Sequence, residues 1–250
     1  MSFLIPTKNL NINGVTVKQV IIPDKMTASK YVASWCQKGW KMKPCKAFTT
    51  SKPLGITVHN TPNINAAKGT NPAEQYCRAT YNGNMSGVIV HYYIWHSEVW
   101  QLLDLNEQGW HARDGSSRKG GHKGQEMGGN VDTIAMELIG PDKQTEQTAQ
   151  KLIAGLCSIY GFTKEDIYTH NWWMWHTDSY YPKGNKNCPY YILPHWQEFL
   201  DGINIPKQED KKYLYRVQVG AYSVEANANA LAKKLKKQGY PVYIKKEEVK

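Results

Sequence analysis

The sequence predicts a mixed α/β domain built around one central β-sheet, followed by a small β-α-β unit at the C-terminus. Between about residues 50 and 202, β-prone and amphipathic helical segments follow in the order strand, helix, hairpin, strand, helix and loop. That order is typical of a sheet flanked by helices. Residues 204–212 are polar and indicate a linker. We therefore predict a main domain over 1–203, the linker, and a separate strand-helix-strand unit over 213–250.

Composition narrows the class of protein before any motif is considered. The 250 residues carry a formal net charge of +10, which suits a polyanionic partner such as nucleic acid or an anionic cell wall. No apolar run approaches the roughly 20 residues of a membrane span, and the N-terminus lacks the pattern of a signal peptide. We therefore expect a protein made in the cytoplasm, without membrane insertion. The five cysteines are scattered and odd in number, which favours reduced thiols over a disulfide framework.

The first elements are a helix, a strand and a second helix. Apolar spacing predicts a helix over 27–39, which packs on the main domain. Residues 55–59 form a short β-prone run that delivers His59 to a loop, where it can face a cleft. Asn71 supplies a cap, a proline follows at the first helical position, and a helix is predicted to about residue 82.

A hairpin and a polar loop come next. Residues 88–95 predict a strand, with 98–103 as its hairpin partner. His91 lies inside that strand, and a lone histidine in such a position is more often a hydrogen-bonded core group than a catalyst. The segment 109–130 is rich in glycine and lysine and is predicted to be a loop, where substrates are often held.

Glu137 interrupts an otherwise buried type of strand over 133–139. A glutamate on a solvated strand face is one interpretation. Its flanking residues favour the other interpretation, a carboxylate that faces a pocket. Burying an unpaired carboxylate is costly, so a glutamate in such a strand is expected to have a partner. An amphipathic helix over 142–160 follows, and a short strand over 166–169 then presents His170.

The stretch from His170 to Pro189 holds more side chains suited to metal binding and acid-base chemistry than any other segment of similar length. Two imidazoles and a thiolate, from His59, His170 and Cys188, are a suitable ligand set for a catalytic zinc with one open position. His176 competes as a ligand. The rival hypothesis is a hydrolase with Cys188 as nucleophile and either histidine as base. The zinc hypothesis uses both histidines and Glu137, whereas the rival leaves some of them without a role.

Five blocks in order, GITVHNT, VHYYI, QGWHARDG, TIAMELIG and KNCP, resemble the zinc-dependent N-acetylmuramoyl-L-alanine amidase family. That family includes phage endolysins, phage T7 lysozyme-type amidases and peptidoglycan recognition proteins. The resemblance implies their fold, zinc ligands at His59, His170 and Cys188, a catalytic Glu137, and a carbonyl-polarising Lys186. Residues expected to line the cleft are Asn60, Trp110, His111 and Arg113.

The sequence departs from the family pattern in two places. The T7-type branch has a tyrosine just before the strand histidine, where this chain has Val90, which shifts the acid-base role onto Glu137. The gap between His170 and Cys188 is also longer. Sugar stacking and hydrophobic packing are equally open roles for its added aromatic residues, which are Trp172, Trp173, Trp175, Tyr180 and Tyr181.

The function implied by the resemblance is that of an endolysin-type peptidoglycan hydrolase. Zinc-activated water would cleave the amide between N-acetylmuramic acid and L-alanine and so lyse a Gram-positive wall, after storage in the host cytoplasm. A bacterial autolysin and a non-catalytic peptidoglycan-binding module are the alternatives, and a nucleic-acid binder rests on charge alone. The tail, through VQVGAYS, resembles half of a SPOR domain that binds glycan strands. It either packs on the main domain, pairs with another copy as a homodimer, or is part of a larger module.

Overall fold

The computed structural model describes residues 3–23, 48–61, 71–85, 87–177, 182–206, 218–240 and 242–248. The chain divides into two compact units, Met1–Lys207 and Gln208–Lys250. Outside the described residues lie the predicted helix over 27–39, most of the predicted linker and of the strand over 213–219, and both Tyr180 and Tyr181.

The described strands of the first unit form a single mixed sheet. Its order is β1-β2-β5-β4-β6-β3-β7. The strands are β1 (Lys8–Ile12), β2 (Val15–Gln19), β3 (Gly55–Thr61), β4 (Tyr92–Trp95), β5 (Glu98–Gln101), β6 (Thr133–Ile139) and β7 (Ile167–Thr169). The four strands β4, β6, β3 and β7 run parallel to one another. Parallel strands end at a common edge of a sheet, which is where such folds collect functional side chains.

Helices cover both faces of this sheet. They are α1 (Pro72–Tyr81), α2 (Gly129–Asp132), α3 (Lys143–Tyr160), α4 (His170–His176) and α5 (Trp196–Asp201), with α6 (Glu225–Lys237) in the second unit. The α3 and α5 helices pack on one face, and α1 packs on the other. Two separate apolar layers result, one on each side of the sheet, and the predicted mixed α/β fold is confirmed.

Alternation along β6 decides which side chains enter which layer. Ile134, Met136 and Leu138 point into the layer beneath α3. Ala135 and Ile139 point into the layer that contains α1. Because successive side chains of a strand point to opposite faces, Glu137 shares the α1 side with the latter pair, as the sequence predicted.

The helix boundaries follow from their capping residues. The Asn71 side chain accepts hydrogen bonds from the backbone N–H groups of Ala73 and Glu74 and begins α1. Asp142 caps α3 in the same way through the Thr145 N–H. Gly161, at a φ of 74°, ends α3 in the left-handed conformation that glycine adopts without steric cost.

The predicted strand over 88–95 is shorter in the structure, because a side chain replaces part of its backbone ladder. The N–H of Ala135 donates to Nδ1 of His91 at 3.0 Å, so that the donor no longer needs a carbonyl from a longer strand. The Nε2 atom of His91 then donates to the Glu107 carbonyl at 2.9 Å. The ring is fully buried. A hydrogen-bonded core role for His91 is therefore confirmed.

The N-terminal hairpin of β1 and β2 was not predicted, although the sequence carries a signal for it. Asn13 and Gly14 form the turn at φ values of 50° and 78°. An Asn-Gly pair favours this type of turn, which matches the twist of the strands it joins. The hairpin extends the sheet, because β2 pairs in parallel with β5.

In the described part of the second unit, the regular secondary structure is helix α6. Residues of α6 lie where the sequence predicts a helix, and none of them is buried. The described residues 218–224 and 242–248 contain no strand, so the predicted strand at 241–244 is not formed in its described part. None of the described helices is long and apolar enough to cross a membrane.

Candidate metal centre and catalytic site

The structure brings the three predicted metal ligands together, although they are far apart in sequence. His59 lies on β3, and His170 begins α4 immediately after β7. Because β3 and β7 are neighbours, with Val58 paired to Thr169, the two histidines become adjacent. The candidate ligand atoms of His59, His170 and Cys188 all lie within 4.8 Å of one another, and all three residues are buried.

The distances within this group fit a zinc ion. Nδ1 of His59 lies 3.1 Å from Nδ1 of His170, and 3.7 Å from Sγ of Cys188. Tetrahedral zinc with ordinary bond lengths would separate two nitrogen ligands by about 3.3 Å and a nitrogen from a sulfur by about 3.6 Å. The two distances from His59 are therefore close to those required by one shared ion.

Backbone contacts hold the Cys188 segment against α4. The N–H of Asn171 donates to the Cys188 carbonyl at 2.8 Å, and the Asn171 side chain donates to the Lys186 carbonyl at 3.0 Å. The Thr169 side chain caps α4 at its first turn, through the Trp172 N–H. The position of the thiol thus depends on the start of the same helix that carries His170.

His176, the competing ligand, lies at the opposite end of α4. Its ring stacks on Trp172 with centroids 3.7 Å apart, and its Nδ1 atom donates to the Trp172 carbonyl at 2.8 Å. The side chain is exposed. Among the described residues, the group able to hold a metal includes Cys188 rather than His176.

Burial makes both histidines neutral and the thiol a weak acid. Desolvation holds the pKa of His59 and of His170 well below the usual value, and the charge of Lys186 acts in the same direction. Neutral imidazole is the form that binds metal. Burial also raises the pKa of Cys188 to about 12. A nucleophilic cysteine needs a lowered pKa, so the environment of Cys188 disfavours the Cys-His hydrolase and suits a thiol that ionises on a metal.

Glu137 stands beside His59 on the neighbouring strand, in direct register. Its Oε2 atom is buried and has no hydrogen-bond partner. Desolvation raises the pKa of Glu137 to about 7, while the charge of Lys186 lowers it. A carboxyl group that changes protonation near neutral pH can both accept and return a proton.

The four predicted cleft residues occupy different environments. The Asn60 amide donates to the carbonyls of Leu138 and Gly140, and its oxygen accepts from the Tyr191 N–H, so this side chain is engaged inside the protein. Trp110 is half-buried, and Arg113 is exposed. His111 is buried, with Nδ1 at 2.9 Å from Nε2 of His59. It therefore lies behind a predicted ligand rather than in an open cleft.

Sequence reasoning missed two buried polar residues that support this region. Asp114 accepts from the N–H groups of Gly129 and Asn130. The Asn130 side chain in turn accepts from the N–H groups of His111 and Ala112, at 2.7 Å and 2.8 Å. Both residues lie in the glycine-rich segment 109–130, and nothing in its local pattern distinguishes them from solvent-exposed residues.

The aromatic insert divides between packing and exposure. Trp173 is fully buried, and its Nε1 atom donates to Thr57 Oγ1 at 2.8 Å. Trp172 is half-buried, while Trp175 is 53% exposed. Hydrophobic packing therefore accounts for Trp173, and among the described residues of the insert Trp175 carries the exposed ring.

Comparisons with known proteins agree with this geometry. A family model described as N-acetylmuramoyl-L-alanine amidase matches residues 49–191, and one described as SPOR domain matches residues 211–250. CwlH, an N-acetylmuramoyl-L-alanine amidase of Bacillus subtilis (strain 168), is 32% identical over 167 residues, which are 64% of this chain and 58% of CwlH.

Two solved structures are similar over most of the chain. The catalytic domain of XlyA is 28% identical with a TM-score of 0.55, covering 76% of this chain and 100% of that one. A mutant endolysin from Bacillus subtilis is 27% identical with a TM-score of 0.55, covering 76% and 99%. The chain spans about half the length of the curated relatives it matches, 58% of CwlH and 48% of full-length XlyA.

Proposed function

The chain belongs to the N-acetylmuramoyl-L-alanine amidase family, and on that premise we propose that it is a zinc-dependent hydrolase that cuts peptidoglycan between N-acetylmuramic acid and L-alanine. One observation carries the proposal. Three buried ligand atoms converge within 4.8 Å, and a carboxyl group with a pKa near 7 stands on the adjoining strand. That combination suits hydrolysis of an amide by activated water.

Metal binding, proton transfer and charge stabilisation would be carried out by different residues. His59, His170 and Cys188 would hold the zinc, which when bound supplies a Lewis acid that makes water more acidic and polarises a carbonyl. Glu137 accepts the proton of the attacking water and then delivers it to the nitrogen of the leaving L-alanine. Lys186 lies close enough to lower the pKa of Glu137 and of both histidines. Its ammonium stabilises the negative charge that develops on the carbonyl oxygen.

The proposal extends to the C-terminal unit, which would bind the glycan strands of the wall. Support comes from the SPOR match over 211–250 and from exposed aromatic rings at Tyr222, Tyr240 and Tyr243. Aromatic faces suit sugars, and lysines of α6 suit anionic wall polymers. Pairing of two copies through this unit is proposed as one way to cover the apolar side of α6.

We further propose that the protein acts as a phage endolysin, stored in the host cytoplasm and released onto a Gram-positive wall. Its similarity to the solved mutant endolysin supports this assignment. A bacterial enzyme that remodels its own wall is the second candidate, favoured by the similarity to CwlH. Production inside Bacillus cells separates the two, since an endolysin should lyse them only after the membrane is permeabilised.

The decisive test of the activity is chemical. The full chain is incubated with purified peptidoglycan, with and without a chelator, and new L-alanine amino termini are counted. We expect termini only while zinc is available, and restoration when zinc is added back. Binding to the wall without new termini would replace the enzyme with a non-catalytic binding module.

The ligand set has its own test. Metal content is measured for Cys188→Ser and His176→Ala, each compared with the parent chain. We expect zinc to be lost from Cys188→Ser and retained by His176→Ala, because the His176 ring lies on Trp172. The reverse result would assign the third ligand to His176.

A further inference from the structure

His111 lies directly against the back of His59, on the side opposite the other predicted ligands. Nδ1 of His59 faces His170 and Cys188, at 3.1 Å and 3.7 Å. Its other nitrogen, Nε2, is 2.9 Å from Nδ1 of His111. The two rings meet edge to face, with planes 86° apart and centroids separated by 5.0 Å. This contact is therefore a hydrogen bond along the ring edge rather than a stack.

The chemistry of imidazole fixes the direction of this bond. A neutral ring carries one proton, and the nitrogen that binds a metal must be the one without it. If Nδ1 of His59 is the metal ligand, its Nε2 keeps the proton and donates it. Nδ1 of His111 is then the acceptor, and the His111 proton resides on its own Nε2.

We propose that His111 is a positioning residue, which holds His59 in the one tautomer and orientation that leave Nδ1 free for zinc. This inference rests on the proposed function, because it requires a metal on the other side of His59. Outer-shell partners of ligating histidines are usually carboxylates, backbone carbonyls or water. Here a second imidazole takes that place.

Contacts with neighbouring residues fix the position of His111 beside His59. The Asn130 side chain accepts from the N–H groups of His111 and Ala112, and Asp114 accepts from the N–H of Asn130. On the other side, a Cβ at Gly109 would stand 2.8 Å from Cδ2 of the His111 ring. Glycine there lets the backbone approach the ring closely.

A substrate contact is the competing role for His111, and burial speaks against it. The residue is only 5% exposed, and its Nδ1 atom already faces His59. A muramyl peptide would have to displace a buried hydrogen bond in order to reach it. In the segment QGWHARDG, His111 thus contacts the side of His59 that faces away from the other predicted ligands, while Arg113 is exposed.

The test compares two substitutions at the same position in the full chain. His111→Asn keeps an oxygen acceptor close to the place of Nδ1, whereas His111→Leu fills similar space without an acceptor. Zinc affinity is measured by competition with a chromogenic chelator. We expect His111→Leu to bind zinc about 10-fold to 100-fold more weakly than the parent, the range found for lost outer-shell partners. His111→Asn should recover most of that loss.

His91→Leu is the matched control, because His91 is also a fully buried histidine with two ring hydrogen bonds. It should lower the melting temperature of the metal-free chain and leave zinc affinity close to that of the parent. If His111→Leu does not fold, the Asn variant still decides through nitrogen-15 spectra of the His59 ring. A parent-like Nε2-protonated tautomer is expected there.

The outcomes separate this inference from the function on which it rests. If the parent chain binds no zinc, the proposed function fails and the inference fails with it. If the parent binds zinc and His111→Leu binds it equally well, the inference alone is overturned. Equal losses in the Asn and Leu variants would also overturn it, since shape rather than the hydrogen bond would then be what His59 needs. A raised KM with unchanged zinc affinity would assign His111 to the substrate instead.

Discussion

Helices α3 and α6 each carry a stripe of apolar residues, but the two stripes differ in burial. In α3 the stripe of Ala149, Leu152, Ile153 and Leu156 is buried against the sheet. In α6 the corresponding stripe is only half-buried, and it consists of Ala228, Leu231, Ala232 and Leu235. Residue spacing therefore selects a helix and its apolar side, but only a partner surface turns that side into a core.

The candidate functional side chains of the two units differ in burial in the same way. Three predicted ligands and Glu137 lie in the first unit, where burial changes their acidity. The described part of the second unit instead exposes tyrosines and lysines. Shielding from water favours proton transfer and metal binding, and exposure favours contact with a polymer. Substitutions that change one unit at a time therefore distinguish the two environments.

Replacing Glu137 should stop the chemistry without releasing the protein from the wall. We expect Glu137→Gln to lower the rate of L-alanine terminus formation by about 10²-fold to 10⁴-fold, the usual contribution of a general base. Wall binding in a pelleting assay should be unchanged. Glu98→Gln is the control, because Glu98 on β5 forms an ion pair with Lys18 on the neighbouring strand β2. Parent-like turnover by Glu137→Gln would remove the proposed base.

Truncating one leucine in each helix should measure the difference between the two units directly. Leu152→Ala should lower the free energy of unfolding by about 2–5 kcal/mol, since Leu152 is fully buried. Leu231→Ala should cost less than about 0.5 kcal/mol, as expected of a residue outside a core. Urea unfolding of both variants provides the comparison. A large cost at Leu231 would show that α6 packs against a partner in solution.

Asp114 should make the stability of the first unit depend on pH. Burial raises the pKa of Asp114 from 3.8 to about 7. Because the folded state then binds the proton more tightly than the unfolded chain, the contribution of Asp114 to stability is largest below about pH 4. It declines as the pH rises to about 7, by on the order of several kcal/mol, since each unit of pKa difference corresponds to about 1.4 kcal/mol.

Asp114→Asn is the variant that exposes this dependence. The amide does not ionise, so its unfolding free energy should vary less between about pH 5 and pH 7.5 than that of the parent. Urea titrations at the two pH values supply the measurement. An identical pH slope in both proteins would mean that Asp114 is ionised throughout this range.

Neutralising the tail should weaken wall binding and spare the chemistry. Replacing Lys233, Lys236 and Lys237 with glutamine removes charge from the exposed side of α6. We expect wall affinity to fall about tenfold at low salt, roughly 1.4 kcal/mol, and the difference to fade as salt screens the charges. Turnover of soluble muramyl peptides should not change. An unchanged affinity at low salt would place wall recognition elsewhere.

Several parts of the fold could be predicted because their signals are local. The Asn71 cap, the glycine that ends α3, and the alternation around Glu137 depend on neighbours within a few residues. The shortened β4 could not be predicted, because His91 takes the Ala135 N–H, a donor from a distant segment. The N-terminal hairpin also has a local signal, the turn pair Asn13 and Gly14.

The sequence alone was enough to predict the order of the elements between about residues 50 and 170, the family to which the chain belongs, and the residue types that could bind a metal. Tertiary structure decided which atoms of those residues meet. His59 and His170 are separated by 111 positions, and only pairing of β3 with β7 brings their Nδ1 atoms to 3.1 Å. Burial by the surrounding core, a property of the whole fold, raises the pKa of Glu137 to about 7. The sequence predicted His111 as a cleft residue, whereas in the structure it lies behind His59. The sequence could not show this position, because distance and desolvation are not local properties of a chain.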